Sequence, residues 1–417
     1  MKLYDLDSWA EVFATMRANK VRTVLTAWGV FWGIFMLVVA LGFGDGMRRG
    51  VTSKMDGKAA NAVFVWGMRT TLPYAGFKPG RWIAFQVEDI EAVKNLEGLE
   101  HLAPRLRLGG FRQGVPVSRG SETGGYEVYG DYPAVRHIEK LIIHGRFINP
   151  LDLQEARKVA VIGPQVYTTL FPAGEDPIGE LIRIRGVAFE VVGTFDVHTE
   201  GDRRDRDEQK VYIPFTSFQQ SFNSGNRINF FALTAESNVE PSDLEQRFRA
   251  VLMERHKVNP ADKRALGSWN MGERFKKIER LFTAIDILLW LVGIATLLAG
   301  ALGVSNIMLI SVKERTKEIG IRKALGAKPG QIVRLIMAES IVLTSVAGYL
   351  GLVVAVGLLE FFGDRIAGGG GPLAHPQVDI KVALIATAVL IVSGAIAGII
   401  PATHAARVSP IESLRAE

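Results

Sequence analysis

The sequence has no cysteine among its 417 residues, which excludes disulfide staples and thiolate chemistry. The motifs that carry common chemistries are missing too. Neither Gly-x-x-x-x-Gly-Lys-Ser/Thr nor Gly-x-Gly-x-x-Gly occurs, and there is no His-Glu-x-x-His. The seven histidines are scattered, and His137 and His144 read as surface or core-edge residues rather than metal ligands. Asp202, Asp205 and Asp207 alternate with arginines, which speaks against a cation site. Gly368 to Gly371 form a run ahead of Pro372, but phosphate cradling needs a helix N-terminus behind the loop, so they read as a flexible turn. A net charge of +6 comes without any nucleic-acid motif or aromatic-basic stripe, so no nucleic-acid partner is expected.

The most telling absence is local. Residues 24–43, 287–312, 340–359 and 382–403 contain no Asp, Glu, Lys or Arg. Each is long enough to cross the ~30 Å hydrocarbon layer, which needs about 20 helical residues. The first is longer than a signal-peptide core and has no Ala-x-Ala site after it, so it reads as an uncleaved span with a flexible exit at residues 42–46. Asp286, Glu339 and Glu360 lie at the edges of apolar runs, as interfacial charges rather than proton carriers.

Lys2, Arg17, Lys20 and Arg22 precede the first span; Lys313, Arg315, Lys317, Arg322, Lys323, Lys328 and Arg334 lie between the second and third; Arg407 and Arg415 follow the fourth. Basic residues near span ends stay cytoplasmic, so both termini are expected inside and residues 45–280 outside. The expected plan is a cytoplasmic amphipathic helix over 1–23 and a first span over 24–44. A large outer domain over 45–280 follows, then a stalk and second span over 271–312. A cytoplasmic loop over 313–333 leads to a third span over 334–360, an outer loop over 361–381, a fourth span over 382–403 and a cytoplasmic tail over 404–417. The amphipathic helix, with Leu6, Trp9, Phe13 and Met16 on one face, would lie on membrane lipids or on the protein's own spans.

The outer segment reads as α+β. Two β-α-β-like parts, near 60–105 and 226–270, flank a glycine-punctuated, β-rich insert over about 106–225. Strands are expected at 62–66, 99–105, 127–130, 159–163, 181–185, 189–192 and 228–234. A helix is expected over 87–96, and another starts at Ser242 as N-cap. Residues 199–210 carry both charge signs and no apolar residue, so they read as a mobile loop. Residues 271–312 have no strong helix breaker, and one unbroken helix is expected, with a break near Thr283 as the alternative. The fold class is thus a four-helix membrane domain plus a large extracytoplasmic α+β domain with a porter-like split β-α-β subdomain.

Residues 313–326 form a charged island between two spans. Glu318 and Arg322 are spaced to pair, Ile321, Ala324 and Leu325 make a narrow apolar stripe, Gly326 can end the helix and Pro329 can open the next. On these residues alone, a rigid corner and a solvated loop that sets topology both remain open.

The run Glu314-Arg-Thr-Lys-Glu-Ile-Gly-Ile-Arg-Lys-Ala-Leu-Gly-Ala327 resembles the hallmark of MacB/FtsX-type ABC transporter permeases. Pro401-Ala-Thr-His-Ala-Ala-Arg407 and Ser409-Pro-Ile-Glu-Ser-Leu-Arg415 are similar to that family's closing motif. Gly145-Arg-Phe147, Lys158-Val-Ala-Val-Ile-Gly163, Pro177-Ile-Gly179 and Val211-Tyr-Ile-Pro214 resemble the periplasmic core domain of its MacB-like branch.

The resemblance implies a non-enzymatic permease in the bacterial inner membrane, paired with a second copy and driven by a separate ABC ATPase that holds ATP and Mg. No cofactor is expected in this chain. Glu314, Arg315, Glu318, Ile319, Gly320, Ile321, Arg322, Lys323, Leu325 and Gly326 would form the ATPase-coupling helix. The implied mechanism is mechanotransmission, in which ATPase motion reshapes the outer domain and drives export, towards a periplasmic adaptor and an outer-membrane channel. Regulatory signalling to an outer enzyme and lipoprotein extraction are the alternatives within the same family.

Overall fold

The computed structural model describes residues 20–53, 58–110, 114–197, 202–367 and 380–408. The chain divides into two compact units, residues 1–50 with 280–417, and residues 51–279. In chain order, helix α1 (Lys20–Ser53) leads to β1 (Ala62–Gly67), β2 (Phe85–Gln86), α2 (Glu88–Val93) and β3 (Leu99–Leu108). Then come β4 (Val115–Arg119), β5 (Glu122–Asp131), α3 (Val135–Ile138), β6 (Ile142–Gly145), α4 (Pro150–Gln154), β7 (Val159–Ile162) and α5 (Pro164–Leu170). β8 (Leu181–Ile184), β9 (Val187–Asp196), α6 (Asp202–Asp207), β10 (Lys210–Pro214) and α7 (Phe215–Phe222) follow. β11 (Arg227–Ile228), β12 (Phe230–Ala235), α8 (Pro241–Arg255) and β13 (Leu266–Asn270) precede four helices: α9 (Met271–Glu314), α10 (Thr316–Ala324), α11 (Pro329–Ala367) and α12 (Ile380–Arg407).

In the 51–279 unit, β13, β1, β12 and β3 are successive antiparallel neighbours. The connections β1-α2-β3 and β12-α8-β13 each skip one strand position, and the other pair fills it: a split β-α-β arrangement. Alternation along β1 serves two cores. Val63 and Val65 join Phe231, Leu233, Leu244 and Phe248, while Ala62 and Phe64 join Ala103, Ala232 and the α3 residues Val135 and Ile138. Helix α8 starts one position before the expected cap, with Glu240 as N-cap and Pro241 in the first turn, where its fixed φ suits the helix. The strand expected over 228–234 is interrupted at Asn229, whose carboxamide oxygen accepts from the Arg107 backbone N–H at 2.8 Å.

β3 carries the chain from one lobe to the other. Its first part pairs with β12, and Leu106 to Leu108 pair with β5. Beyond it, β5, β4, β8, β9, β7 and β10 are linked in turn, and β10 pairs back onto β5 in parallel, so the ring closes. Closure leaves these strands without a free edge, and Val117, Val128, Ile162, Ile184, Phe189 and Val211 fill the interior.

Residues 202–207, expected within a mobile loop, form α6. Opposite charges four apart, Arg204 and Glu208, are paired, so a segment without apolar residues still closes a turn. The segment's last residue, Lys210, opens β10 and is buried, with its ammonium 2.6 Å from Asp207. Residues 199–201 lie outside the described residues.

In the other unit, α1, α9, α11 and α12 are each long and apolar enough to cross a membrane. Small residues form the helix contacts. A Cβ at Gly351 would stand 2.6 Å from the Phe31 carbonyl oxygen, so only glycine permits that approach, and Gly300 and Gly29 meet backbone to backbone. Helix α1 runs straight through residues 42–46, where a flexible exit was expected. Gly42 packs on Leu359, and Arg49 pairs with Asp45 one turn away. No break occurs at Thr283: α9 is continuous over 44 residues, roughly 66 Å at ~1.5 Å per residue. Residues 1–19 of the expected amphipathic helix, Gly368 to Gly371 and the closing motif from Ser409 lie outside the described residues, and residues 20–23 begin α1.

Candidate functional site

The charged island folds as a corner built from backbone rules. α9 stops at Glu314, and Arg315 leaves helical geometry at φ −95°, ψ 13°. The Thr316 hydroxyl donates to the Lys313 carbonyl at 2.7 Å, occupying a carbonyl the helix end leaves open. At the far end of α10, Gly326 adopts φ 98°, its N–H donates to the Lys323 carbonyl, and the Ala327 N–H donates to the Arg322 carbonyl. This pair of bonds is a Schellman closure, which favours glycine at that position. The Lys328 N–H then donates to the Gln331 side chain as α11 begins at Pro329.

Two sets of polar contacts pin the corner. The Arg315 guanidinium reaches both oxygens of Glu318, at 3.0 and 3.2 Å, and touches Glu339 on α11 at 3.5 Å. Arg322 joins the same Glu318 carboxylate at 2.9 Å. On the other side, the Lys323 ammonium donates to the Ala406 and Val408 carbonyls at 2.5 and 2.8 Å, placing a cation on the C-terminal end of α12. Ile319 and Gly320 are buried within the unit. The residues left facing outward are Glu314, Ile321, Leu325 and Gly326, with Lys317 and Ala324 beside them; Leu325 is 84% exposed and Ile321 44%.

The ten residues singled out from the sequence therefore split by role. Ile321 and Leu325 present an apolar pair on a basic helix, whereas Ile319, Gly320, Arg315 and Lys323 face their own unit. Glu339 was read as an interfacial charge. It is buried and belongs to the corner through Arg315, a contact 24 residues apart in sequence that periodicity does not reveal.

Sequence reading also missed a buried charge cluster in the 51–279 unit. Arg105 on β3 places Nε and Nη2 each 2.8 Å from the two Asp131 oxygens and Nη1 on Glu139. Glu139 also accepts from Lys210 at 2.9 Å and from the Tyr212 hydroxyl at 2.6 Å. Burial alone would raise the Glu139 carboxyl, but Arg105, Lys210 and Lys58 outweigh it and hold it well below the usual range. For Asp131, burial outweighs the pull of Arg105 and pushes the carboxyl up to about 6, with the nearby Glu139 charge adding to the rise. A cavity of about 760 Å³ opens above this cluster. The available signal was one basic residue heading an otherwise apolar strand, Lys210 before Val211, Tyr212 and Ile213. Among the described residues no group of three or more His, Cys, Asp or Glu is placed to hold a metal.

Two family models cover the chain: the MacB-like periplasmic core domain matches residues 23–251, and the FtsX-like permease C-terminal matches residues 290–410. The chain belongs to the MacB/FtsX family of ABC transporter permeases. The closed β insert and most of the split β-α-β lobe therefore lie in the match to the MacB-like periplasmic core domain, and the corner lies in the FtsX-like permease portion. Four apolar helices and this domain make it a membrane protein of the inner-membrane kind.

The chain is 28% identical over 421 residues to the pyoverdine export ATP-binding/permease protein PvdT of Pseudomonas entomophila, covering 99% of this chain and 60% of that one. It is 29% identical over 414 residues to the macrolide export ATP-binding/permease protein MacB of Rhodospirillum rubrum, covering 97% and 59%. The chain thus spans about 60% of the length of the curated relatives it matches. Among solved structures, the periplasmic region of MacB from Actinobacillus actinomycetemcomitans aligns with a TM-score of 0.42 at 17% identity, over 54% of this chain and 94% of that one.

Proposed function

We propose that this chain is the permease subunit of a MacB-like exporter, driven by an ABC ATPase on a separate polypeptide that binds ATP and Mg. The observation that carries the proposal is the corner: Ile321 and Leu325 stand exposed on a basic helix whose other face is fastened to α11 through Glu339 and to α12 through Lys323. A partner gripping that apolar pair would move those helices together. Helix α9, unbroken from Met271 to Glu314, is the proposed lever from the corner towards the periplasmic core domain. This mechanotransmission requires the corner and both termini to be cytoplasmic, in keeping with the basic residues that flank the spans.

A second copy is the proposed membrane partner. Gly303 is exposed on α9 with open space around it, beside a groove lined by Trp28, Trp32 and Gly300 that suits close packing by another helix. A periplasmic adaptor and an outer-membrane channel would complete an export path. The names of the relatives, which export pyoverdine and macrolides, support a bulky organic cargo.

The test is reconstitution in lipid nanodiscs. The chain alone should hydrolyse no ATP, and its ATPase partner should bind and hydrolyse faster in its presence. Ile321→Asp with Leu325→Asp should abolish partner binding while membrane insertion is retained. Unaltered binding of that double variant, or hydrolysis by the chain alone, would overturn the proposal.

A further inference from the structure

The cavity above the buried charge cluster lies within the periplasmic core domain, across the junction of its two lobes. Phe64, Trp66, Trp82, Phe230 and Trp269 line it from the split β-α-β side, and Tyr129 from the closed β insert. Its volume, about 760 Å³, falls among those of small-molecule sites, and its composition has the same character: apolar walls with a few convergent polar groups. Trp82 is 62% exposed, whereas Trp66 and Trp269 are half-buried against the core and Trp269 carries the Arg274 guanidinium over its ring, so Trp82 is the indole most open to a flat molecule.

The charges of the lining are unequal. Five basic residues, Lys58, Arg105, Arg107, Arg206 and Lys210, contribute against three acids, Glu127, Glu139 and Asp207. With Asp131 counted beneath the floor, one positive charge remains in excess. At the floor a single carboxylate, Glu139, serves Arg105, Lys210 and Lys58. Arg105 has Asp131 as a second partner and Lys210 has Asp207. Lys58 meets the shared Glu139 at 3.6 Å and lies 4.4 Å over the Phe64 ring among the described residues. Burial lowers its pKa against the pull of Glu139, so the ammonium is held there at a cost that a further anion would relieve.

We propose that this cavity is a binding site for an organic anion with a flat apolar body, the body lying against Trp82 and Trp66 and the anionic group reaching the Lys58 ammonium. The inference goes beyond the coupling function and does not depend on it, because binding needs neither nucleotide nor the ATPase.

The test is calorimetric titration of the full chain in neutral-lipid nanodiscs with naphthoate, with naphthylmethylammonium as the cationic counterpart and empty nanodiscs as the baseline. Naphthoate should bind saturably and raise the unfolding temperature of the chain, and the cation should not. Trp82→Ala removes an exposed ring and should weaken naphthoate binding roughly tenfold, a difference of about 1.4 kcal/mol. Lys58→Gln keeps the stem and should weaken it by a similar factor, whereas Trp28→Ala in the membrane unit should leave it unchanged. Absence of saturable naphthoate binding, equal binding of the cation, or undiminished binding by Trp82→Ala would each overturn the site. None of these results would touch the coupling proposal, which is read from ATPase binding.

Discussion

In the 51–279 unit the fully buried side chains include Phe85, Phe189, Phe231 and Phe248, and the ion cluster of Arg105, Asp131 and Glu139 lies among them. In the membrane unit the fully buried positions include Ala355, Ala402 and Ala405 beside Ile34, Val38 and Val304, while Leu291, Leu302, Val353 and Ile400 face outward. One chain thus follows two different burial rules. In water, large apolar groups go inside because each square ångström removed from solvent stabilises the fold. In lipid that incentive is gone, so small residues at close helix contacts join the buried set and many large ones are left to the acyl chains. The corner around α10 belongs to neither regime. It buries Ile319 as a soluble protein would, yet exposes Ile321 and Leu325 in a charged setting, which is the pattern of an unfilled protein interface.

Three substitutions probe this contrast, the largest effect first. Arg105→Leu strips Asp131 and Glu139 of their shared cation and should destabilise the 51–279 unit by about 3–5 kcal/mol. Urea unfolding of the detergent-solubilised chain, followed by protease protection of that segment, would show it, and a loss under about 1 kcal/mol would mean the cluster is solvated. Gly351→Leu drives a side chain into the Phe31 carbonyl and should cost the membrane unit about 1–3 kcal/mol. The reverse change, Leu302→Ala at a lipid-facing position, should stay within about 0.5 kcal/mol. A larger loss for Leu302→Ala than for Gly351→Leu would break the inside-out reading of the membrane helices.

The last effect is pH-dependent. Burial pushes the folded Asp131 carboxyl up to about 6, above the ordinary aspartate value of 3.8, so between those values the folded state holds more protons than the unfolded one. Stability contributed by this group therefore falls as pH rises through that window. Wild type should gain stability over Asp131→Asn as pH is lowered from 7 to 5, seen as diverging urea midpoints. Parallel midpoints would place the Asp131 charge in solvent.

Much of the membrane half was legible because lipid imposes a one-dimensional code. Uncharged runs gave the four spans, and Gly326 and Pro329 marked the corner's end and the next helix's start. The split β-α-β lobe was legible through the short apolar runs of β1 and β12 and through Pro241. What stayed hidden depended on contacts between distant residues. Ring closure needs β10 beside β5, about 80 residues apart, and nothing local in Lys210 to Pro214 announces that partner. Composition misled at residues 202–207, where paired charges supply what apolar residues usually do. It misled again at 42–46, where packing on Leu359 outweighs the glycine penalty.

The most direct test of the lever is a distance measured across it. Because the sequence has no cysteine, Lys277→Cys on the exposed side of α9 gives a single spin-label site, read between the two proposed copies in nanodiscs with the proposed ATPase partner added. The proposed mechanism predicts a distance distribution that shifts on adding ATP and stays fixed when Ile321 and Leu325 are both changed to Asp. An unchanged distribution while the bound ATPase turns over would contradict it.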